Sequence, residues 1–442
     1  MLSSYLREAA ARYPDKPALV HGAASLSYRD LAAQAERIAS DWSALAGKSV
    51  ALAFTEPFEL VPAMTALDAL GAHAYLAGVR DDDELCALQS AFGWEANLRG
   101  TSDALPPLSG SRTAVRLDTS GLVSILTSGT TGIPKAVNHT WATLARPVRQ
   151  HERYADSRWF VAYPLTLYAG IQVLLQALLN GALLVTSPTL RPEEVARTLA
   201  DNGVMYASGT PTFWRNLMLF GGRAELQACS LRQITLGGEA VTQDVLDSLR
   251  SVFPEARIVH IYASTEMGRL FTVTDGRAGF PAGYLDTPPE PGVELRVADG
   301  QLWVRSSNRM IGYEGRASGE DADRWFPTGD LVELRDDRVV FLGRDSDIIN
   351  VGGAKVSPAA VEEVLRSVCG VANVRVYGKS SSIVGALVAA DIQSMPESDP
   401  EQVRAAVVRH ARERLLPFQV PRVIRMVESI RTNAANKVVR RD

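Results

Sequence analysis

Apolar positions near the start of the chain recur at helical spacing, and short apolar runs interrupt them. The spacing predicts two amphipathic helices, whose apolar positions are Leu2, Leu6, Ala9, Ala10, Leu31, Ala35, Ile38 and Ala39. The runs predict short strands over 18–21, 25–28 and 49–54, and a further helix follows over 61–70. The chain therefore opens with helices and strands in alternation.

The alternation continues through the middle of the chain. Strands are predicted over 123–126, 183–186 and 258–262. Helices are predicted from about residue 140 and over 193–202. Because alternating strands and helices are typical of parallel sheets covered by helices, this pattern predicts a layered α/β fold.

The pattern changes after about residue 290. Short strands separated by Gly and Asp turns predict a smaller β subdomain, at 294–297, 301–305, 331–334 and 339–342. Residues 343–347 then read as a linker. The remainder predicts an α+β unit, with strands over 348–351, 371–377 and 383–390 and helices over 358–367 and 400–415. We expect a large N-terminal α/β domain with this β subdomain over 1–345 and a small C-terminal domain over 346–442.

Charge is unevenly distributed between these two predicted domains. The 442-residue chain has a net charge of −4, which argues against a general nucleic-acid binder. Residues 347–442 carry 14 Lys and Arg against 10 Asp and Glu, whereas the remainder carries 32 against 40. The basic C-terminal segment indicates contact with anions, or alternatively the solvated face of an Arg-rich helix.

Cysteine usage and hydropathy suggest a cytoplasmic protein. The three cysteines are far apart and form no CxxC pair, so neither a disulfide framework nor a zinc site is expected. We see no signal peptide and no apolar stretch approaching the roughly 20 residues of a membrane span.

One segment rich in Gly and hydroxyl residues follows the predicted strand at 123–126. It reads Thr127-Ser128-Gly129-Thr130-Thr131-Gly132-Ile133-Pro134-Lys135 and precedes a helical pattern. Glycines allow close backbone approach, and hydroxyl and N–H groups can form an anion nest. Composition alone favours a flexible Ser/Thr/Gly surface loop, and the spacing excludes a Walker A loop.

Four further segments, in the same order, give this loop its context. They are Ile261-Tyr262-Ala263-Ser264-Thr265-Glu266, Trp325-Phe326-Pro327-Thr328-Gly329-Asp330, the stretch from Gly343-Arg344 to Pro358, and Asn436-Lys437-Val438-Val439-Arg440. With the loop, they resemble the five ordered motifs of the adenylate-forming superfamily, which includes acyl-CoA synthetases, peptide-synthetase adenylation domains and luciferases. The resemblance spans nearly the whole chain and implies an ATP-dependent acid–thiol ligase with a mobile C-terminal domain.

The resemblance assigns a nucleotide site. It implies that ATP or AMP is bound by Thr127, Ser128, Gly129, Thr130, Thr131, Gly132, Lys135, Gly237, Gly238, Glu239, Tyr262, Ala263, Ser264, Asp330 and Arg344. Tyr262 is expected to stack on adenine, while Asp330 and Arg344 are expected to hold the ribose. Read without the family, Tyr262 fits a core residue and Asp330 a turn residue equally well.

Three residues are implied as catalytic. Thr265 is expected to donate to the α-phosphate, and Glu266 to bind Mg²⁺, which prefers carboxylate and phosphate oxygens. Lys437 is expected to bridge the carboxylate and α-phosphate oxygens. A carboxylic acid with a pKa near 4 is already ionised at neutral pH, so the reaction needs positive charge and positioning more than a base.

The sequence departs from the family pattern at three points. Ser346 stands at the hinge position, where the family often has Asp or Lys. Asn436 replaces a usual Gly before the lysine, and Ala263 replaces another usual Gly. Asn is the residue next to Gly in tolerance of positive φ, so the turn before Lys437 can form.

The segment 163–170, Tyr-Pro-Leu-Thr-Leu-Tyr-Ala-Gly, holds no acidic residue. Amino-acid-activating relatives carry an Asp in this segment, so we expect a carboxylic acid without an α-amine. The pocket is predicted from Tyr163, Leu167, Tyr168, Thr212, Gly237 and Met267; core packing is the alternative for each, as for Phe213 and Trp214. Which acid is bound cannot be read from the sequence.

The loop from Val351 to Pro358 resembles that of CoA ligases. It implies that Gly352 and Gly353 line a tunnel for the thiol arm. The predicted acceptor is CoA, and the alternative is the phosphopantetheine of a discrete acyl carrier protein. A non-catalytic nucleotide binder and a luciferase-like oxidation of the adenylate are rival functions.

Overall fold

The computed structural model describes residues 1–102, 121–127, 134–315, 324–381, 385–433 and 437–438. Its helices are α1 Leu2–Arg12, α2 Tyr28–Asp41, α3 Pro57–Ala69, α4 Asp82–Phe92, α5 Trp141–Ala145, α6 Tyr168–Leu178, α7 Pro192–Asp201, α8 Pro211–Phe220, α9 Arg223–Ala228, α10 Gln243–Val252, α11 Pro358–Arg366 and α12 Pro400–Arg414.

The strands of the first half are β1 Pro17–His21, β2 Ala24–Ser27, β3 Ser49–Leu52, β4 His73–Leu76, β5 Ala96–Leu98, β6 Leu122–Thr127, β7 Lys135–Thr140, β8 Arg158–Val161, β9 Leu183–Thr186, β10 Tyr206–Gly209, β11 Gln233–Gly237 and β12 Arg257–Ser264. Those of the second half are β13 Gly268–Val273, β14 Phe280–Pro281, β15 Val293–Ala298, β16 Gln301–Ser306, β17 Gly312–Tyr313, β18 Phe326–Arg335, β19 Arg338–Arg344, β20 Ile349–Val351, β21 Ala354–Val356, β22 Val371–Ser381, β23 Gly385–Ser394 and β24 Val423–Met426.

The chain forms two compact units. The first comprises Met1–Gly238, Leu249–Thr274 and Ser306–Arg324, and the second comprises Glu239–Ser248, Asp275–Arg305 and Trp325–Asp442. The second unit therefore contains the β subdomain together with residues 346–442. The domain boundary expected at residue 346 stays a prediction.

The first unit contains two sheets. One has the strand order β13-β12-β11-β10-β8-β9-β1-β2 and the other β17-β7-β6-β4-β3-β5. In the first sheet the six central strands are parallel and each edge strand is antiparallel to its neighbour. In the second sheet β6, β4, β3 and β5 are parallel, and β7 and β17 add antiparallel pairs at one edge. Parallel strands are covered on both faces, which explains the continuous burial of Val50, Ala51 and Leu52. The predicted α/β class is confirmed.

The second unit also contains two sheets. The β subdomain has the order β14-β19-β18-β16-β15, and the C-terminal sheet has the order β21-β20-β23-β22 with β24 beside β23. A separate apolar core lies under the C-terminal sheet and is built around Val361, Leu365, Val376 and Val407. Asp399 caps the N-terminus of α12 by accepting from the N–H of Glu401. The capping residue and the buried apolar face of this helix therefore both favour a helix that begins at Pro400.

The helix expected from about residue 140 is confirmed as α5, Trp141–Ala145. One local expectation was wrong, because the Gly-rich loop is followed by strand β7, Lys135–Thr140, rather than by a helical pattern. Tertiary pairing with β6 overrides the helical spacing of these residues. The linker expected at 343–347 is also partly strand, because Gly343 and Arg344 end β19 in register with β18.

Candidate active site

The ends of the predicted phosphate loop are brought together by an antiparallel strand pair. Thr127 at the end of β6 is the register partner of Lys135 at the start of β7. The Thr127 hydroxyl donates to the Lys135 carbonyl at 3.4 Å. The predicted nucleotide residues Ser128, Gly129, Thr130, Thr131 and Gly132 lie outside the described residues.

Lys135, Tyr313 and Glu266 form a contiguous group in the first unit. The Lys135 Nζ atom lies 5.2 Å from the centre of the Tyr313 ring, and the Tyr313 hydroxyl donates to Glu266 Oε1 at 3.3 Å. Strand β17 holds Tyr313 there by pairing with β7. The sequence analysis did not identify Tyr313. The available signal was the aromatic residue in the short run Ile311-Gly312-Tyr313, whose last two residues form strand β17.

Thr265 and Glu266 lie in the three-residue turn of the β12–β13 hairpin. The Met267 N–H donates to Ser264 Oγ at 3.0 Å, and the Met310 N–H donates to the Glu266 carbonyl at 2.7 Å. Gly268 closes the turn at φ +70°, where a Cβ would lie 2.6 Å from the Asn308 carbonyl oxygen. A non-glycine residue would clash there, so the turn has little freedom to shift.

The residues of this turn fit a magnesium ion. The Glu266 carboxylate is half-buried, and its Oε1 accepts from Tyr313. Within the described ranges, no group of three or more His, Cys, Asp or Glu is arranged to hold a metal. Mg²⁺ commonly takes one or two carboxylates together with substrate phosphates and water, so one carboxylate is a sufficient protein contribution.

Tyr262 and its neighbours occupy the end of β12. The Tyr262 ring stacks on Phe271 of β13, with centroids 5.1 Å apart and an interplanar angle of 23°. Ala263 and Ser264 are the register partners of Arg269 and Gly268. Adenine bound against Tyr262 would therefore add a third ring to an existing aromatic pair. The contact between Tyr262 and adenine stays a prediction.

The residues predicted for the acid pocket are mostly buried within the first unit. The Tyr163 hydroxyl donates to the Gly237 carbonyl at 3.0 Å, next to Gly238 at φ +84°. Tyr168, Thr212 and Met267 are buried, and Leu167 is half-buried at the start of α6. Their assignment to a pocket stays a prediction. Trp214 packs in the core, where its Nε1–H donates to the Thr235 carbonyl.

In the second unit, the structure pairs Asp330 with Arg344. The two residues are register partners on β18 and β19, and Arg344 Nε lies 3.0 Å from Asp330 Oδ1. Asp330 is buried, whereas Arg344 is exposed. The pair is consistent with the predicted ribose contact, because a carboxylate oriented by a guanidinium can accept from sugar hydroxyls.

Lys437 forms two hydrogen bonds with Asn433. Its N–H donates to Asn433 Oδ1 at 3.1 Å, and its carbonyl accepts from the Asn433 N–H at 2.9 Å. The next residue, Val438, donates its N–H to Glu239 Oε1 at 3.2 Å. These contacts hold Lys437 close to Glu239. Asn436, which the sequence predicts to tolerate the turn before Lys437, lies outside the described residues.

The electrostatic surroundings of Lys437 come from the same unit. The pKa of Lys437 lies below its ordinary value, chiefly because of burial. The carboxylates of Glu239 and Asp330 act in the opposite direction, and the guanidinium of Arg344 acts in the same direction as burial. Four residues predicted from separate motifs, namely Glu239, Asp330, Arg344 and Lys437, are thus brought together. Such a half-buried ammonium group can stabilise negative charge that develops on oxygen.

The predicted hinge and thiol-tunnel residues lie between Arg344 and Lys437 in the sequence. Ser346 is exposed in a single turn at 345–347, and its hydroxyl donates to Asp347 Oδ1 at 3.2 Å. Gly352 and Gly353 form the tight turn between β20 and β21 at φ +57° and +89°. Apart from the adjoining residues, no heavy atom of the described part of the chain lies within 4 Å of a Cβ built on either glycine. Their predicted roles remain predictions.

Two family models match separate parts of the chain. Residues 82–314 match the AMP-binding enzyme family, and residues 360–437 match the C-terminal domain of AMP-binding enzymes. Among the helices that the structure describes, none is long and apolar enough to cross a membrane.

Curated relatives and a solved structure match over most of their length. A 2-succinylbenzoate–CoA ligase of Bacillus licheniformis is 27% identical, over 99% of this chain and 98% of that protein. A 3-[(3aS,4S,7aS)-7a-methyl-1,5-dioxo-octahydro-1H-inden-4-yl]propanoyl:CoA ligase of Rhodococcus jostii is 30% identical, over 86% and 73%. A variant of E. coli MenE with bound OSB-AMS has a TM-score of 0.78 at 22% identity, covering 96% and 94%, which shows a shared fold.

Proposed function

Because the chain belongs to the family of AMP-binding enzymes, we propose that it is an acid–thiol ligase that uses ATP to activate a carboxylic acid without an α-amine. The acid is joined to AMP with release of pyrophosphate and then transferred to the thiol of CoA. The observation that carries this proposal is the cluster of Lys437 with Glu239, Asp330 and Arg344.

The first half-reaction needs charge neutralisation. A carboxylate oxygen attacks the α-phosphorus, and the bond from that phosphorus to the pyrophosphate oxygen breaks. Both reactants are anions, so the ammonium group of Lys437 lowers the barrier by pairing with their oxygens. Thr265 donates to the α-phosphate, and Glu266 holds Mg²⁺, which neutralises phosphate charge.

The nucleotide is held by groups from several motifs. Asp330 accepts from the ribose hydroxyls and is oriented by Arg344. Lys135, beside Tyr313, supplies positive charge at the base of the phosphate loop. Tyr262 contributes an aromatic face for adenine.

In the second half-reaction, the thiol attacks the acyl carbon, the acyl–oxygen bond to AMP breaks, and the thiol proton passes to solvent. We place the thiol arm beside Gly352 and Gly353, where the backbone has open space. CoA is the proposed acceptor because both curated relatives are named as CoA ligases. We place the enzyme in the cytoplasm, which the free thiols of Cys86, Cys229 and Cys369 support.

The acid is proposed to be an aryl or acyl acid. The segment at 163–170 has no carboxylate to pair with a substrate ammonium. The two curated relatives act, by their names, on 2-succinylbenzoate and on a propanoate that carries a fused ring. Neither acid has an amine, which agrees with this reading of the segment.

The deciding experiment measures pyrophosphate release with a panel of aryl, alicyclic, aliphatic and amino acids, each with and without CoA. Release with a non-amino acid, followed by a thioester only when CoA is present, supports the proposal. A clear preference for an α-amino acid contradicts the substrate class. Thioester formation on a carrier protein but not on CoA replaces the acceptor, and an oxidised product without a thioester indicates the luciferase-like route.

A further inference from the structure

Strand β7, which follows the phosphate loop, carries two consecutive buried polar side chains. Asn138 and His139 are 1% and 0% exposed and point to opposite faces of the strand. Burying a polar side chain costs free energy unless it is hydrogen-bonded. Asn138 donates to Glu314 Oε2 at 2.9 Å, which links β7 to the segment that carries Tyr313.

His139 makes its hydrogen bonds on the other face of β7. Its Nε2 lies 2.7 Å from the carbonyl oxygen of Thr265, and its Nδ1 lies 3.1 Å from the hydroxyl oxygen of Thr143. A carbonyl oxygen can only accept, so Nε2 carries the proton and donates. In the neutral ring, Nδ1 is then an acceptor beside the Thr143 hydroxyl, which also donates to the Thr140 carbonyl at 2.9 Å. The two contacts fix both the tautomer and the orientation of the ring.

The acceptor of this hydrogen bond belongs to the turn that carries Thr265 and Glu266. The turn is also held by the Met310 N–H on the Glu266 carbonyl and by Ser264 Oγ on the Met267 N–H. His139 is the side chain from β7 that contacts the turn's first residue. Core packing alone does not require a donor aimed at this carbonyl, and an apolar side chain of similar volume would fill the same space.

We propose that His139 is a positioning residue: its Nε2–H holds the Thr265 carbonyl and so orients the Thr265 hydroxyl and the Glu266 carboxylate for the nucleotide phosphates and Mg²⁺. This inference rests on the proposed function. It adds a connection from the strand after the phosphate loop to the turn that carries the metal ligand. Ligands that are already oriented lose less free energy on binding and at the transition state.

The test removes the donor while keeping the volume of the side chain. His139→Met is expected to slow adenylation at saturating ATP and acid about tenfold and to leave the KM for the acid unchanged, since a positional hydrogen bond contributes on this order. Calorimetry should show about tenfold weaker binding of the magnesium complex of a non-hydrolysable ATP analogue. His139→Gln, whose amide nitrogen reaches the position of Nε2, is expected to recover most of both losses.

His73 supplies a matched control in the same unit. Its imidazole is half-buried, and its Nε2 lies 2.7 Å from Ser124 Oγ, which in turn donates to Asn138 Oδ1 and not to a residue of the turn. His73→Met is expected to lower the melting temperature as His139→Met does, with wild-type kinetics and wild-type affinity for the magnesium–nucleotide complex. If His139→Met does not fold, His139→Asn replaces it, because the shorter amide does not reach Thr265.

The outcomes distinguish failure of the positioning role of His139 from failure of the proposed function. Wild-type kinetics and nucleotide affinity in His139→Met, or equal losses in the Gln and Met variants, would overturn the positioning role and leave the proposed function intact. Absence of pyrophosphate release by the wild-type protein with every acid would overturn the proposed function, and the inference with it.

Discussion

The backbone N–H of Val438 donates a hydrogen bond of 3.2 Å to the Glu239 carboxylate, joining residues 199 positions apart in the chain. This contact fixes the position of Lys437, the residue before Val438, beside Asp330 and Arg344.

Lys437→Ala is expected to abolish adenylation, with a loss of at least about a hundredfold, because the carboxylate and the α-phosphate then meet without a cation. Thioester formation from supplied acyl-adenylate should remain largely intact, since that step involves no pair of reacting anions. Pyrophosphate exchange and single-turnover thioester formation measure the two steps. Lys379→Ala, an exposed lysine on β22, is the control. Adenylation at the wild-type rate would show that the assignment of Lys437 is wrong.

Glu266→Gln is expected to raise the Mg²⁺ concentration needed for half-maximal adenylation about tenfold, because an amide is a weaker magnesium ligand than a carboxylate. The Tyr313 hydroxyl can still donate to the amide oxygen, so the turn should keep its shape. A magnesium titration of pyrophosphate release measures the effect. Glu255→Gln, an exposed carboxylate in the same unit, should titrate as the wild type does. An unchanged titration for Glu266→Gln would remove this residue from the metal site.

Gly352→Trp is expected to block thioester formation and to leave adenylation near the wild-type rate. The turn has open space at this position, so the indole would occupy the path proposed for the thiol arm. Because Gly352 has φ +57°, a side chain here also carries some backbone strain. Gly352→Asn controls for the strain, since Asn tolerates this conformation. If both variants transfer the acyl group normally, the thiol arm passes elsewhere.

His73 makes the stability of the first unit depend on pH. Burial lowers the pKa of its imidazole to about 4, from 6.5 in the unfolded chain. Between these two values the unfolded state binds more protons, so stability rises with pH and falls as the pH drops from 6.5 towards 4. The slope is about 1.4 kcal/mol per pH unit for one imidazole.

Urea unfolding at several pH values measures this slope. His73→Met should be less stable at neutral pH, because Ser124 loses one of its two hydrogen-bond partners, and should show a shallower pH dependence than the wild type. Parallel curves for the two proteins would mean that His73 keeps an ordinary pKa in the folded state.

The sequence by itself determined the fold class and the family. Apolar spacing located most helices and strands, and five ordered motifs identified a family that the comparison of residues 82–314 and 360–437 confirmed. These signals are local: a helical face, an apolar strand or a short motif is readable within a few residues. The strand β7 was missed because its alternation of apolar and polar residues is weak, and one of its two partners, β17, lies in a distant part of the chain.

Only the tertiary structure decided which polar groups meet. Tyr313 contacts Glu266 across 47 residues, His139 contacts Thr265 across 126, and Val438 contacts Glu239 across 199. No spacing rule predicts such contacts, because they depend on strand order and register. A buried polar side chain needs a partner, yet the sequence does not say which one, since that choice is made when the sheets pack and water is excluded.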